Sequence, residues 1–393
     1  MPVAIYIFSL CTFAFGLSEF VVAGLVSAIA VDLDAGIAAV GTAIAAYALG
    51  ASLGAPFLTA LLAHWKDRNI LLLAMAALAV GSVLMSAAPN LPLLLAVRFV
   101  VGLGHGVFMA VASDAATKLV PAARSGRALS VVWIGLTLAL AVGVPLGTLL
   151  GSLWSWRGIF LAIGALGLLG MLGLLFFMDS HAKPKRRAAG GVWKGLQAIT
   201  HPQLLRTAGT AALVSVATFA FFTYVSPYLL RITALDAAWL SLAMLLFGLC
   251  SIAGNLLGGY LADRVDAGRS TLLALAGLTL NLAGLYVLRS AAPAMLVLIG
   301  TLGIFFFAIV TLLTMRLMQQ ARRHVPQFTA VAAGLNIASF NLGTALGGVL
   351  GSLTIAAGSL EQVPLVGALA AALAAAMLYL QLRRSRRPGA AGA

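Results

Sequence analysis

Apolar runs of about 20 residues recur from one end of the chain to the other, parted by short polar or basic connections. A run of that length crosses a hydrocarbon core of about 30 Å as a helix. The pattern predicts twelve spans, at roughly 4–27, 40–62, 70–88, 91–115, 128–150, 158–178, 207–230, 238–261, 271–288, 293–315, 329–353 and 364–382. Connections after the odd-numbered spans are short and nearly uncharged, holding Asp32, Asp34, Pro89-Asn90, Trp154 to Arg157, Arg231, Asp236, Arg289 and Glu361. Those after the even-numbered spans are basic: Lys66 and Arg68, then Lys118, Arg124 and Arg127, then Arg264 and Arg269, then Arg322 and Arg323.

Composition agrees with the pattern. Of 393 residues, 62% are hydrophobic and 9% charged, with a mean hydropathy of +1.08, whereas about a quarter of a soluble domain is charged. The 42 glycines suit helices that approach closely in a membrane. The net charge of +14 would suggest nucleic acid, but 20 of the 24 Lys and Arg fall on one side of the predicted spans. That asymmetry is the positive-inside rule, so the basic side and both termini are expected in the cytoplasm, with a lipid bilayer and no nucleic acid as partner. Cys11 and Cys250 lie in apolar segments and offer neither a disulfide framework nor metal-ligand spacing. The N-terminus, MPVAIYIFSL, lacks the basic region of a cleaved signal peptide and runs into a full-length span.

The longest connection, about Asp179 to Arg206, contains KPKRR and AAGG and reads as the seam between two bundles of six. This divides the chain into an N-terminal bundle (1–180), a cytoplasmic linker (181–205), a C-terminal bundle (206–382) and a basic tail (383–393). Within the linker, Val192, Leu196 and Ile199 have helical spacing, consistent with a short surface helix anchored by Trp193. The halves repeat at an offset of 200 residues. Gly54 answers to Gly254, and VGVPLGTLLGSL (Val142 to Leu153) lies over LGTALGGVLGSL (Leu342 to Leu353). Parallel repeats of this kind are a transporter plan, with substrate bound near the midplane between them. At the same offset Arg98 falls on Leu298 and Glu19 on Phe219, so the first half alone carries both charges.

A charge at the centre of a lipid-exposed helix costs roughly 2.5–3.5 kcal/mol on the gentlest insertion scale, so Arg98 should face protein or a water-filled cavity. It shares a helical face with Gly102, His105 and Met109. Glu19 is the one acid well inside a span, on a stripe of Thr12, Gly16, Ala23 and Ser27. Counting about 1.5 Å per residue puts Glu19 and Arg98 at similar depths, so the two could pair directly or through water. Either they form a structural ion pair, or Glu19 is a carboxylate whose protonation is linked to substrate and conformation. His105 can donate and accept a hydrogen bond and is either a helix contact or a second polar station. Gly135, Ala139, Gly143, Gly147 and Gly151 recur every fourth residue, a ridge for close packing in which Pro145 favours a bend. Thr223, Tyr224 and Pro227 in the seventh span, and Asn336 and Asn341 in the eleventh, are candidates for the cavity wall. The five histidines, at 64, 105, 181, 201 and 324, are scattered, and no paired carboxylates lie within the spans. An enzyme, which needs a cluster of nucleophile, base or metal ligands, is therefore not expected, and neither is a metal or other cofactor.

Several stretches carry a family resemblance. GLSEFVVAGLVSAIAVDL (Gly16 to Leu33), RFVVGLGHGVF (Arg98 to Phe108), VGVPLGTLLG followed by WSWRGIF (Val142 to Phe160), GNLLGGYLADR (Gly254 to Arg264) and NIASFNLGTALGG (Asn336 to Gly348) resemble the major facilitator superfamily. Within it they are most similar to the twelve-span drug:proton antiporter branch and its bacterial sugar-efflux and chloramphenicol-resistance exporters. The resemblance implies an all-α membrane protein of two pseudo-symmetric six-helix bundles in the bacterial inner membrane, working as a monomer. It implies proton-coupled efflux of a small molecule by alternating access, driven by the proton gradient. A proton-independent facilitator or an uptake transporter of the same fold is the alternative. Glu19 and Arg98 fall on coupling or substrate positions of the family. Gly143, Pro145 and Gly147 fall on its outward-gate motif, and Gly259, Asp263 and Arg264 on its cytoplasmic loop motif. Two departures stand out. The loop after the second span, LTALLAHWKDRN, lacks the full glycine and aspartate pattern, and DRVDAGR carries one residue more than usual before its last arginine.

Overall fold

The computed structural model describes residues 1–62, 64–121, 124–178, 200–324 and 329–385. Most of the proposed linker and tail, including the Val192–Ile199 helix, lies outside the described residues. All regular structure among them is helical. Eleven stretches are long and apolar enough to cross a membrane. One of them, Ser130–Phe177, is 48 residues long and would reach about 72 Å as a single rod, more than twice a hydrocarbon core. The chain turns within it at Ser155, whose backbone is extended and whose side chain caps the next helix by accepting from the Arg157 N–H at 3.2 Å. It is therefore two crossings, and the total among the described residues is twelve.

We number the crossings α1 (Val3–Asp32), α2 (Ile37–Leu53, running on through Gly54–Leu58 to Thr59–Leu61), α3 (Asp67–Ser86) and α4 (Leu91–Lys118). Next come α5 (Ser125–Leu138, Ala139–Gly143, Val144–Leu150 and Gly151–Ser155), α6 (Trp156–Phe177) and α7 (Pro202–Phe222, then Val225–Arg231). The last are α8 (Ala237–Arg264), α9 (Ala267–Val287), α10 (Ala292–His324), α11 (Thr329–Ala356) and α12 (Val363–Ser385). We call the face at which α1 begins and α12 ends the basic face, and the opposite one the far face. Acids in the connections act as caps: Asp236 accepts from the Trp239 N–H at 2.9 Å, and Asp266 from the Arg269 N–H at 2.8 Å. Each satisfies a backbone donor that a helix start leaves free.

Prolines place the irregularities. Proline offers no N–H to the carbonyl four residues earlier and its ring collides with it. Pro227 so frees the Thr223 carbonyl, and α7 breaks at Thr223 and Tyr224. Pro145 acts on Ala141, inside the widened π-turn Ala139–Gly143, and Pro56 lies within the π-turn Gly54–Leu58.

Packing follows the repeat. In the first half α1 lies on α5, α2 on α4 and α3 on α6; in the second, α7 lies on α11, α8 on α10 and α9 on α12. The halves meet along α2–α11 and α5–α8. Glycine permits the closest approach. A Cβ at Gly102 would run into the Tyr47 carbonyl, and one at Gly50 into that of Phe99, so α2 and α4 touch backbone to backbone. The predicted ridge of α5 does pack closely: Gly143, Gly147 and Gly151 rest on Phe13, Leu17, Val21 and Leu25 of α1.

Candidate functional site

The α2–α4 contact sets the geometry of the charged residues. Arg98 of α4 is fully buried and its fork is spent on backbone oxygen. Nε donates to the Ala43 carbonyl at 2.6 Å, Nη1 to that of Ser18 at 3.0 Å and Nη2 to that of Glu19 at 3.4 Å. The guanidinium also lies over the Tyr47 ring, 4.8 Å from its centroid, a favourable placement for a desolvated cation. Tyr47 in turn donates to the Phe15 carbonyl at 3.2 Å. One side chain thereby ties α4 to both α1 and α2.

The depth count holds, since Arg98 and Glu19 meet in space, but a direct pairing of their side chains does not. Arg98 holds the Glu19 main chain, and the Glu19 carboxylate points elsewhere. Its ion-pair contact is His105, with Nδ1 and Oε2 3.6 Å apart, too long for a hydrogen bond. His105 stacks on Phe15 with ring centroids 4.9 Å apart, yet neither of its nitrogens has a hydrogen-bond partner. Glu19 is 8% exposed and His105 6%. The site is thus a carboxyl and an imidazole side by side, walled by Phe15 and Tyr47, with a fixed positive charge behind them. Unfilled hydrogen-bonding capacity at this burial is costly.

The other predicted residues scatter. Tyr224, at the break in α7, is buried between the halves. Its hydroxyl lies 3.3 Å from the Ala38 carbonyl of α2 and 2.9 Å from the Gly348 carbonyl of α11. A Cβ on Gly41 of α2 or Gly351 of α11 would strike its ring. Thr223 is buried with its hydroxyl unpartnered. Asn336 donates to Thr314 of α10 at 2.8 Å, and Asn341 to the Ile337 carbonyl of its own helix at 3.0 Å. Pro145 sits on the α5–α8 seam, where its carbonyl accepts from Ser241 at 2.8 Å. Gly259 has open space around it, and Arg264 lies over Tyr260 of its own helix; the Asp263 side chain lies outside the described residues.

Three features escaped the sequence reading. At the far face, Ser226 meets Ser27 at 3.2 Å and Ser352 donates to the Ala38 carbonyl at 3.0 Å, so the halves are latched there by neutral groups. Each half also carries an ion clamp at that face. In the first, Arg157 reaches Asp32 at 2.7 Å and the Ser86 and Ala88 carbonyls at 2.9 and 2.8 Å, while the Trp156 Nε1 donates to Asp32 at 3.1 Å. In the second, Arg289 and Glu361 are 3.2 Å apart. The third feature is a run of facing phenylalanines, Phe20 to Phe219, Phe219 to Phe306 and Phe306 to Phe340, with centroids 6.2, 5.7 and 6.3 Å apart, for which Phe219 in the place of Glu19 was the available signal.

Comparison with known proteins gives the geometry its context. The chain is 35% identical over 373 residues to the Escherichia coli K12 inner membrane transport protein YdhP, covering 95% of this chain and 94% of that one. It is 34% identical over 363 residues to a chloramphenicol resistance protein of Streptomyces lividans, covering 90% of each. Among solved structures, the nucleoside transporter NupG matches with a TM-score of 0.77 at 13% identity, over 96% of this chain and 98% of that one, a likeness of fold. The model of the Major Facilitator Superfamily matches residues 8–332. The chain belongs to the Major Facilitator Superfamily, as a multi-pass membrane transporter of small molecules.

Proposed function

We propose that this transporter exports a small molecule from a bacterial cytoplasm in exchange for protons, as a monomer in the inner membrane with its basic face inward. The observation that carries the reading is Glu19, a carboxyl enclosed in the bundle beside an imidazole with two idle nitrogens. Adding or removing its proton changes the local charge by one unit next to the fixed Arg98. A proton and a solute that both need this carboxyl cannot be held at once, which is the logic of exchange. The segments 1–180 and 206–382 would then rock as units about the α2–α11 and α5–α8 seams, giving alternating access to the site. The far-face latch of Tyr224, Ser27 and Ser352 is the contact to be opened. Gly143 and Gly147 would keep α5 seated on α1 within the first unit, and the Pro145 contact with Ser241 of α8 would be remade as the seam turns.

The test is Glu19→Gln in liposomes with an imposed pH gradient. The variant should lose uphill export while keeping solute exchange down its own gradient. Uphill export by Glu19→Gln at the wild-type rate would move the coupling to another group, and failure of the wild type itself to export uphill would leave a facilitator as the reading.

A further inference from the structure

A cleft opens between α7 and α12 at the basic face. It holds about 210 Å³ and is lined by Arg206 of α7 and by Met377, Leu380 and Gln381 of α12. Arg206 lies about one turn inside the start of α7, and Gln381 about one turn inside the end of α12. The apolar spans end at the same places, Pro202 and Arg383, so the cleft sits where the hydrocarbon core meets the headgroup layer.

Gln381 builds one side of it. Its amide nitrogen donates to the Arg206 carbonyl at 3.1 Å and to the Thr210 hydroxyl at 3.2 Å. Both amide hydrogens are thereby spent on α7, and the amide oxygen is left as an acceptor. The Arg206 main chain is held, while its guanidinium is exposed and has no hydrogen bond, ion pair or ring contact among the described residues. Other arginines at this face are occupied: Arg68 donates to the Leu175 carbonyl at 2.6 Å, and Arg264 and Arg383 lie over Tyr260 and Tyr379. From the cleft toward the bilayer centre α12 presents an apolar track. Leu380, Leu373 and Leu369 are exposed and share one helical face with Met377. From Leu380 to Leu369 the helix rises about 16 Å, the depth of one leaflet in a core of about 30 Å.

An apolar track of leaflet depth with an unspent cation at its outer end matches a lipid in both shape and charge. A guanidinium pairs with phosphate through two parallel hydrogen bonds, and basic residues at a membrane surface attract anionic lipid. We propose that the cleft binds an anionic glycerophospholipid from the leaflet at the basic face. Its phosphate pairs with Arg206, its glycerol backbone enters beside Met377 and Leu380, and one acyl chain follows Leu373 and Leu369. The idle amide oxygen of Gln381 favours a headgroup that carries hydroxyls, as phosphatidylglycerol does. The site is separate from Glu19 and stands whether or not the exchange reading holds.

The test counts lipids bound to the purified full-length protein in detergent by native mass spectrometry, with phosphatidylglycerol and phosphatidylcholine of identical chains as probes. The wild type should bind one phosphatidylglycerol about tenfold more tightly than phosphatidylcholine. Arg206→Gln should cut that preference by about five- to tenfold, the factor one basic residue at a membrane surface supplies, and Arg383→Gln should leave it within about twofold. Leu380→Trp, which fills the cleft, should weaken both lipids by about fivefold or more. Inorganic phosphate in large excess should displace neither. Equal affinity for the two lipids, an equal loss in Arg206→Gln and Arg383→Gln, or displacement by phosphate would overturn the assignment, the last by showing a site for free anions. Should Arg206→Gln not fold, Leu380→Trp carries the test, and unchanged phosphatidylglycerol binding in that variant would overturn the site.

Discussion

Replacing Gly41 with alanine isolates the far-face latch. In an ordinary helix the change is favourable, because alanine exceeds glycine in helix propensity by about 1 kcal/mol. Here the added Cβ would fall on the Tyr224 ring of the other half. That ring cannot swing away, since Gly351 closes its other side and the hydroxyl is held at the Ala38 and Gly348 carbonyls. Forcing an extra methyl into packed surroundings costs about 1–3 kcal/mol. The cost falls on the latched state alone, because the two surfaces separate when the halves part. The ratio of latched to open protein should fall by about 5- to 150-fold. A cysteine at Ser27, in a background with Cys11 and Cys250 replaced by serine, reports this as a faster reaction with a bulky maleimide in detergent. Tyr224→Ala in the same protein removes the obstacle, so adding Gly41→Ala to it should no longer accelerate labelling. Slower labelling in Gly41→Ala, or acceleration that persists without the Tyr224 ring, would refute the latch.

Other perturbations address separate parts of the structure. Arg98→Lys keeps the charge but loses the fork that spans α1 and α2, so thermal unfolding in detergent should report about 2–4 kcal/mol less stability; an unchanged midpoint would mean that the carbonyl bonds carry no weight. At the basic face, His201 stacks on His324 with centroids 4.6 Å apart. Its pKa is lowered from the ordinary 6.5, first by partial burial and then by His324. The unfolded chain therefore binds the proton more readily, and stability should fall as pH drops below about 6.5. His201→Gln should flatten that part of a stability–pH curve; an identical slope would exclude the pair as its source.

The parts of this architecture that the sequence shows are those that hydropathy and covalent chemistry dictate. Span number follows from apolar run length, and the irregularity of α5 from Pro145, because a missing N–H acts at a fixed distance along the chain; the break that Pro227 makes in α7 by the same rule was not anticipated. The meeting of Glu19 with Arg98 was legible from rise per residue alone. The partner of the Arg98 side chain was not. Its acceptors are the Ala43, Ser18 and Glu19 carbonyls, and every residue has such a group, so no residue type announces the contact. The turn of Glu19 toward His105 depends on rotation of α1 against α4, which is set by where glycine lets α2 seat. Of the facing phenylalanines only Phe219 stood out, since a phenylalanine in an apolar span reads as lipid-facing or buried alike.

The two ion clamps have a consequence for how the far rim yields. Asp32 with Arg157, and Arg289 with Glu361, each brace a single half, as a lintel braces one side of a doorway. What crosses between the halves at that rim is hydroxyl to hydroxyl or hydroxyl to carbonyl. Parting the rim therefore separates none of the opposite charges described there. Taking salt from about 0.1 M to about 1 M shrinks the screening length from about 10 Å to about 3 Å, and the opening rate should scarcely notice. The door is electrically silent, and under the exchange proposed above its timing is left to the proton and the solute inside.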